Sequence, residues 1–233
     1  MTTKIINPLD LIKGGLIVSS QAKPGEPCYG PKFMAAFAKC AEMAGAVAIR
    51  ASGPTDIRAI KKAVKIPVLG IYKLDFPKIP VIITPTFKSA VQVIKAGSDI
   101  VALDGTPRKR PNGETFEEIT ENIHKNFPGI LVMADISTYE EGIQCAKEGA
   151  DLVGTTLSGY TPYSRQDKTP DFGLIKKLSK KLQIPVIAEG KIWEPKEAWK
   201  AMESGAYAVV IGSAITRPIM ITERFANAVR GKF

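Results

Sequence analysis

Histidine is almost missing from this sequence: His124 is the only one in 233 residues. A His-rich metal centre and a serine-histidine hydrolase therefore lack their ligands and their general base. Cysteine is scarce as well. Cys28, Cys40 and Cys145 are odd in number and scattered, with no CxxC pair, so neither a zinc finger nor a disulfide framework is expected, and reduced thiols in the cytoplasm fit best. No apolar run approaches the roughly 18 residues that a membrane-spanning helix needs. The opening MTTKIINPLDLIKGG has no unbroken apolar stretch of the kind a secretory signal carries. No membrane partner is expected.

Enough apolar material is present to bury a substantial core without metal or disulfide support, since 45% of residues are hydrophobic and 24% charged. The net charge of +9 suits either a polyanion or a small anionic substrate. The densest basic run, KKLSKK at 176–181, falls on the solvated face of a helix by its spacing and has no interleaved aromatics. Nucleic acid is therefore not expected as a partner.

Short β-branched runs recur, each followed by about a dozen residues of amphipathic pattern. They are LIVSS (16–20), AVAIR (46–50), VLGIY (68–72), DIVALD (99–104), LVMAD (131–135), DLVGT (151–155), VIAEG (186–190) and AVVIG (208–212). Continuous apolar strands with helical spacers form parallel sheets covered on both faces. Eight such units in this length predict an α/β fold, a single (β/α)8 TIM barrel of the phosphate-binding type spanning 1–233, with an open doubly wound sheet as the alternative.

The residues leading into the strands alternate between glycine and proline: Gly45, Pro67, Gly97, Pro128, Gly149, Pro185, Gly205. Successive glycines lie 52, 52 and 56 residues apart, so the repeat is a βαβα module used four times. Asn7 and Pro8 read as the start of a short helix, about 7–13, closing the bottom of the barrel. STYE at 137–140 reads as a capping box. VIITPT at 81–86 reads as an extra strand and is assigned to the loop after strand three.

Polar residues that close the strands converge on the mouth of such a barrel. They are Gln21, Arg50, Lys73, Asp104, Asp135, Thr155 with Thr156, Glu189, and Gly212 with Ser213. Any one of them could simply end a strand; this many ionisable groups at one end require mutual compensation or a ligand. Backbone amides of Gly190, Gly212 and Ser213 after the last two strands, with Arg217 beside them, predict a phosphate site. His124 reads as a surface residue on a polar helix, and Trp193 and Trp199 as packing of the outer layer. Cys28 and Cys40 read as ordinary thiols, while Tyr160 could cover a ligand.

The chain resembles the N-acetylmannosamine-6-phosphate 2-epimerases through GGLIVSSQA (14–22), GAVAIRA (45–51), GIYK (70–73), ITPT (83–86), ALDGT (102–106), MADIST (133–138), GTTLSGYT (154–161), VIAEGKI (186–192) and GSAITRP (212–218). These segments run in order through almost the whole chain. The departures are small: Ser20 where cysteine is frequent, Gly105 where alanine is usual, Lys191 where arginine is common, and an unusual link from Leu74 to Pro80.

The resemblance implies an isomerase acting on a phosphorylated amino sugar. It would interconvert N-acetylmannosamine 6-phosphate and N-acetylglucosamine 6-phosphate in sialic acid breakdown, and the chemistry requires no cofactor. Inverting C2 means removing the proton beside the C1 carbonyl, stabilising an enolate and returning a proton to the opposite face. The resemblance makes Lys73 the acid/base group with Glu189 as its catalytic partner. A rival assignment makes Glu189 the base and Lys73 the cation on the enolate oxygen, and a substrate hydroxyl relay is a third. A free lysine, with a pKa of about 10.4, must fall by roughly three to be half neutral at pH 7. Gln21, Arg50, Asp135 and Thr156 are expected on the sugar, and Gly190, Gly212, Ser213 and Arg217 on the phosphate. Asp104 is equally readable as a structural partner. Because such barrels often pair, a homodimer is expected. The alternatives are another phosphosugar isomerase or epimerase, or a barrel that binds a phosphorylated amino sugar without turning it over.

Overall fold

The computed structural model describes residues 7–232. Eight parallel strands close on themselves in sequence order. They are β1 (Leu16–Ser20), β2 (Ala48–Ser52), β3 (Val68–Ile71), β4 (Ile100–Asp104), β5 (Leu131–Asp135), β6 (Leu152–Gly154), β7 (Val186–Glu189) and β8 (Ala208–Ile211). The helices are α1 (Pro8–Ile12), α2 (Pro31–Met43), α3 (Pro54–Ala63), α4 (Phe87–Lys95), α5 (Phe116–Asn126), α6 (Tyr139–Lys147), α7 (Phe172–Lys181), α8 (Pro195–Glu203), α9 (Ser213–Thr216) and α10 (Pro218–Val229). A 3₁₀ turn, Thr155–Leu157, follows β6. Among the described residues no helix is long and apolar enough to cross a membrane.

Strand residues alternate between two cores because successive side chains leave a strand on opposite faces. Ile17, Leu69, Met133 and Ile187 from odd strands, and Ala48, Ile100, Leu152 and Ala208 from even strands, fill the inside. Val18, Ile49, Val101 and Val132 face outward onto the helices, against Met34, Ile57, Ile60 and Ile119. Ile12 of α1 joins the inner cluster and is fully buried. Asn7 caps that helix by accepting from the Leu9 N–H at 3.0 Å, with Pro8 at its first position.

The repeat read from the sequence has a backbone cause. Gly45, Gly97, Gly149 and Gly205 all end helices at φ between 91° and 109°, the left-handed region that a side chain disfavours. Strand boundaries differ most at β2, which starts at Ala48 and continues to Ser52, two residues beyond Arg50. Arg50 is therefore an inward-facing strand residue two positions above Ala48 and does not close the strand.

Two local readings need correction. The capping box of α6 uses Thr138 and Glu141, one residue later than STYE implies: Thr138 accepts from the Glu141 N–H at 3.3 Å, and the Glu141 carboxylate accepts from the Ser137 and Thr138 N–H groups. The run 81–86 is not a strand. It folds back antiparallel on the residues after β3 through a single bridge between Lys73 and Ile83. The Leu74 N–H donates to Ile82 O at 3.0 Å and the Thr84 N–H to Tyr72 O at 2.9 Å. That hairpin fixes the backbone of Lys73 at the mouth.

Candidate active site

Inward positions two residues above the filled barrel layer hold the charged groups. Arg50 stands above Ala48, Asp135 above Met133 and Glu189 above Ile187. Arg50 and Asp135 are almost wholly buried and form a bidentate pair, Nη1 to Oδ1 at 3.2 Å and Nη2 to Oδ2 at 2.6 Å. Arg50 Nη1 is also 3.1 Å from Glu189 Oε2. Thr156 Oγ1 touches both carboxyl groups, Asp135 Oδ1 at 2.6 Å and Glu189 Oε2 at 3.0 Å. Gly154 makes room for this arrangement, since a Cβ there would overlap Met133 Cε and stand 3.1 Å from Thr156 Oγ1 and 3.4 Å from Asp135 Oδ1.

The electrostatics push the two candidate acid/base groups toward each other. Burial, reinforced by Asp135 and opposed by Arg50, raises Glu189 to about 7. Lys73 is lowered from the ordinary lysine range, chiefly by desolvation of its ammonium at the mouth and then by Arg50, while Glu189 and Asp135 resist the shift. Lys73 as a whole is exposed at the open end, so a ligand could reach it directly. In the closed strand order β3 and β7 are four places apart in either direction. Lys73 and Glu189 therefore enter the mouth from opposite sides.

The other residues singled out from sequence fall into two groups. Gln21 donates from Nε2 to Ser19 Oγ at 2.8 Å, while its Oε1 is buried without a partner. Gly190 sits at φ 110°, a conformation open to glycine. Gly212 caps α9, whose first residue is Ser213, and the N–H groups of Ile215 and Thr216 close back on Gly212 O. This short helix after β8 lies where barrels of this class place an anion. Arg217 is held apart from the charged cluster by an ion pair with Glu26, and its Nε is buried without a partner. Asp104 serves its own loop, accepting from the Thr106 N–H at 2.9 Å and Arg108 Nη2 at 2.8 Å.

Several details lay beyond sequence reasoning. His124 accompanies Asp151 at 2.9 Å, so it is part of a surface pair. Trp199 is 67% exposed, in contrast to the packing expected of it. Thr155 locks β6 to β7, its Oγ1 donating to Glu189 O at 3.0 Å and accepting from the Glu189 N–H at 3.1 Å. Lys191 adopts φ 60° and reaches Asp167 O, with its ammonium 5.4 Å from the Tyr160 ring. The only sequence signal for these last contacts was their position at the C-terminal ends of strands.

The closed barrel, its charged mouth and the glycine-rich turns after β7 and β8 define a phosphosugar-type (β/α)8 enzyme scaffold. Comparison with known proteins is consistent and specific. A family model described as N-acetylmannosamine-6-phosphate epimerase matches residues 34–231. The chain belongs to that family. It is 54% identical over 219 residues to an N-acetylmannosamine-6-phosphate 2-epimerase of Caldanaerobacter subterraneus subsp. tengcongensis, covering 94% of this chain and 92% of that one. Identity to the Clostridium perfringens protein of the same name is 48% over 222 residues, 95% of this chain and 100% of its relative. A solved structure of the N-acetylmannosamine-6-phosphate 2-epimerase from Clostridium perfringens superposes with a TM-score of 0.94 at 46% identity, over 98% of this chain and 99% of that one. A thiamine phosphate pyrophosphorylase from Pyrococcus furiosus, 16% identical with a TM-score of 0.60 over 97% of this chain and 98% of that one, shares the fold.

Proposed function

We propose that this chain is an isomerase that interconverts N-acetyl-D-mannosamine 6-phosphate and N-acetyl-D-glucosamine 6-phosphate at C2, in the degradation of sialic acid. The observation that carries the reading is the opposed placement of Lys73, just after β3, and Glu189, at the end of β7, across the barrel mouth, with pKa values drawn toward each other. Such an arrangement suits epimerisation, in which a proton leaves one face of C2 and arrives on the other. Lys73 takes the C2 proton, the electron pair moves into the C1 carbonyl as an enolate, and Glu189 gives a proton to the opposite face. The reverse reaction exchanges the roles.

Arg50 and Gln21 face the developing oxyanion and the sugar oxygens, and Asp135 a sugar hydroxyl. The buried, unpartnered Gln21 Oε1 and Arg50 Nε support a polar ligand there. The phosphate rests on the amides of Gly190, Gly212 and Ser213, with Arg217 turning from Glu26 to supply charge. Binding at this remote group orients the reacting carbon.

The protein works in the cytoplasm as one barrel unit, and it pairs with a second copy. Helix α10 buries none of its residues, and Ile219, Phe225 and Val229 are exposed on it. A groove of about 540 Å³ lined by Leu16, Trp193, Trp199, Val209 and Ile211 runs along the β1 and β8 seam. The last helix of a (β/α)8 barrel ordinarily covers that seam, and α10 of a second copy is the occupant proposed. Light scattering after gel filtration is expected to give a dimer mass, and Phe225→Asp a monomer.

The test of function is NMR of the purified protein with N-acetylmannosamine 6-phosphate in D2O, with EDTA present. The expected result is N-acetylglucosamine 6-phosphate carrying deuterium at C2, abolished in Lys73→Ala. Absence of conversion by the intact protein would remove the epimerase assignment.

A further inference from the structure

Thr84 holds a backbone conformation that its side chain disfavours. Its φ is 44°, in the left-handed region, where a β-branched residue is an outlier. It also precedes Pro85, whose ring restricts the residue before it to extended conformations. The neighbours on both sides enforce the turn. Ile83 packs into the inner core and its carbonyl accepts from the Asp104 N–H of β4 at 3.0 Å, while Thr86 caps α4. Thr84 is fully buried and grips both backbone groups of Tyr72. Its N–H donates to Tyr72 O at 2.9 Å, and its Oγ1 accepts from the Tyr72 N–H at 3.0 Å.

Tyr72 is the residue between β3 and Lys73. Among the described residues the Lys73 ammonium has no hydrogen-bond or ion-pair partner, and the one hydrogen bond of the residue runs from its N–H to Ser52 Oγ at a long 3.4 Å. The backbone therefore decides where the ammonium stands. β3 pairs with β4 only at Leu69 and Gly70. Beyond them the segment 82–84 takes the place of β3 beside β4, with Ile83 bridging Lys73 on one side and bonded to Asp104 on the other. Thr84 closes this wedge. Strain that the surroundings sustain in this way is concentrated at working sites.

We propose that Thr84 is a positioning residue for Lys73: its buried hydroxyl and N–H clamp Tyr72, and the left-handed turn forced on it aims the following lysine into the barrel mouth. The inference deepens the epimerase reading and rests on it for the proton transfer assigned to Lys73. Charged groups face Lys73 from four elements: Lys23 from the loop after β1, Arg50 from β2, Asp135 from β5 and Glu189 from β7. Desolvation and then Arg50 lower its proton affinity, and both act only while the side chain is held in the mouth. A lysine released toward water returns to the ordinary range.

Thr84→Val removes the hydroxyl at nearly constant shape and leaves the Tyr72 N–H without its acceptor, whereas Thr84→Ser retains it. Thr84→Gly, which reaches φ 44° freely, is a second hydroxyl-free variant should the first not fold. In substrate-free protein, lysine titration is followed by NMR of 13C-labelled lysine, with Lys73 assigned by its loss in Lys73→Arg. The Lys73 titration is expected below that of the other lysines in the wild type, to move toward them in Thr84→Val and to return in Thr84→Ser. With N-acetylmannosamine 6-phosphate, Thr84→Val is expected to lose about tenfold or more in kcat with KM changed by less than about threefold, and Thr84→Ser to recover most of it. An unmoved Lys73 titration in the hydroxyl-free variant overturns the proposal, whatever the kinetics. So does a loss confined to KM. Because the titration needs no substrate, a wild-type protein that fails to epimerise counts against the functional reading alone, and the shifted or unshifted lysine still decides the role of Thr84.

Discussion

Arg50 and Asp135, from strands three places apart around the barrel, meet in a bidentate pair whose side chains are 1% and 0% exposed. Such a pair is a poor source of net stability but an exacting constraint, because either partner left alone is a buried, unpaired charge. Asp135→Ala is expected to lower unfolding free energy by about 3–5 kcal/mol and to abolish activity. Urea denaturation followed by circular dichroism measures the first, and the NMR assay the second.

Glu189 is expected to set how activity depends on pH. Its carboxyl is raised to about 7 and Lys73 is lowered. Whether the productive form has the pair ionised or neutral, the product of the two fractions falls on the acid side of the lower pKa and on the basic side of the higher one. The expected kcat/KM profile drops about tenfold per pH unit below pH 7 and bends at about 7, the Glu189 value. A bend that persists unchanged in the residual activity of Glu189→Gln contradicts this assignment.

The same carboxyl affects stability with a definite sign. Its pKa is higher in the folded state than the ordinary 4.5, so the folded protein binds that proton more tightly than the unfolded chain. The carboxyl therefore opposes folding increasingly as pH rises from 4.5 to about 7 and to a constant degree above it. The melting temperature of Glu189→Gln relative to wild type should increase across that window and level off beyond it. Differential scanning calorimetry at a series of pH values reads the trend.

Arg217 has two partners to choose from, Glu26 in the substrate-free protein and the proposed phosphate. Arg217→Ala is expected to reduce kcat/KM by roughly 10- to 100-fold, the worth of a hydrogen bond to a charged group, mostly through KM. Glu26→Gln frees the guanidinium and should leave KM equal or lower. If Arg217→Ala has wild-type KM for the 6-phosphate, the residue does not hold it.

Gly154 is a steric requirement of the site. Alanine there would press its Cβ into Met133 and against Thr156 and Asp135, an overpacking that costs about 1–3 kcal/mol. Gly154→Ala should lose activity beyond what its stability loss explains. The smaller Met133→Ala in the same chain should restore part of both.

Sequence by itself determined the architecture, because periodicity is a local property. Strands such as DIVALD, the helix-ending glycines from Gly45 to Gly205 and the continuous apolar runs each follow from backbone geometry and burial within a few residues. The same two-residue period put Arg50, Asp135 and Glu189 on the inner face above the filled layer. Tertiary structure alone decided what those residues do to one another. Arg50 took Asp135 as its partner across 85 residues of sequence, Thr156 joined Asp135 to Glu189, and 81–86 became a brace for Lys73 in place of a strand. Asp104, equally polar and equally placed at a strand end, turned to its own loop through Arg108. Hydrogen bonding and charge pairing depend on separations of about 3 Å between atoms, and chain closure into a barrel is what sets those separations.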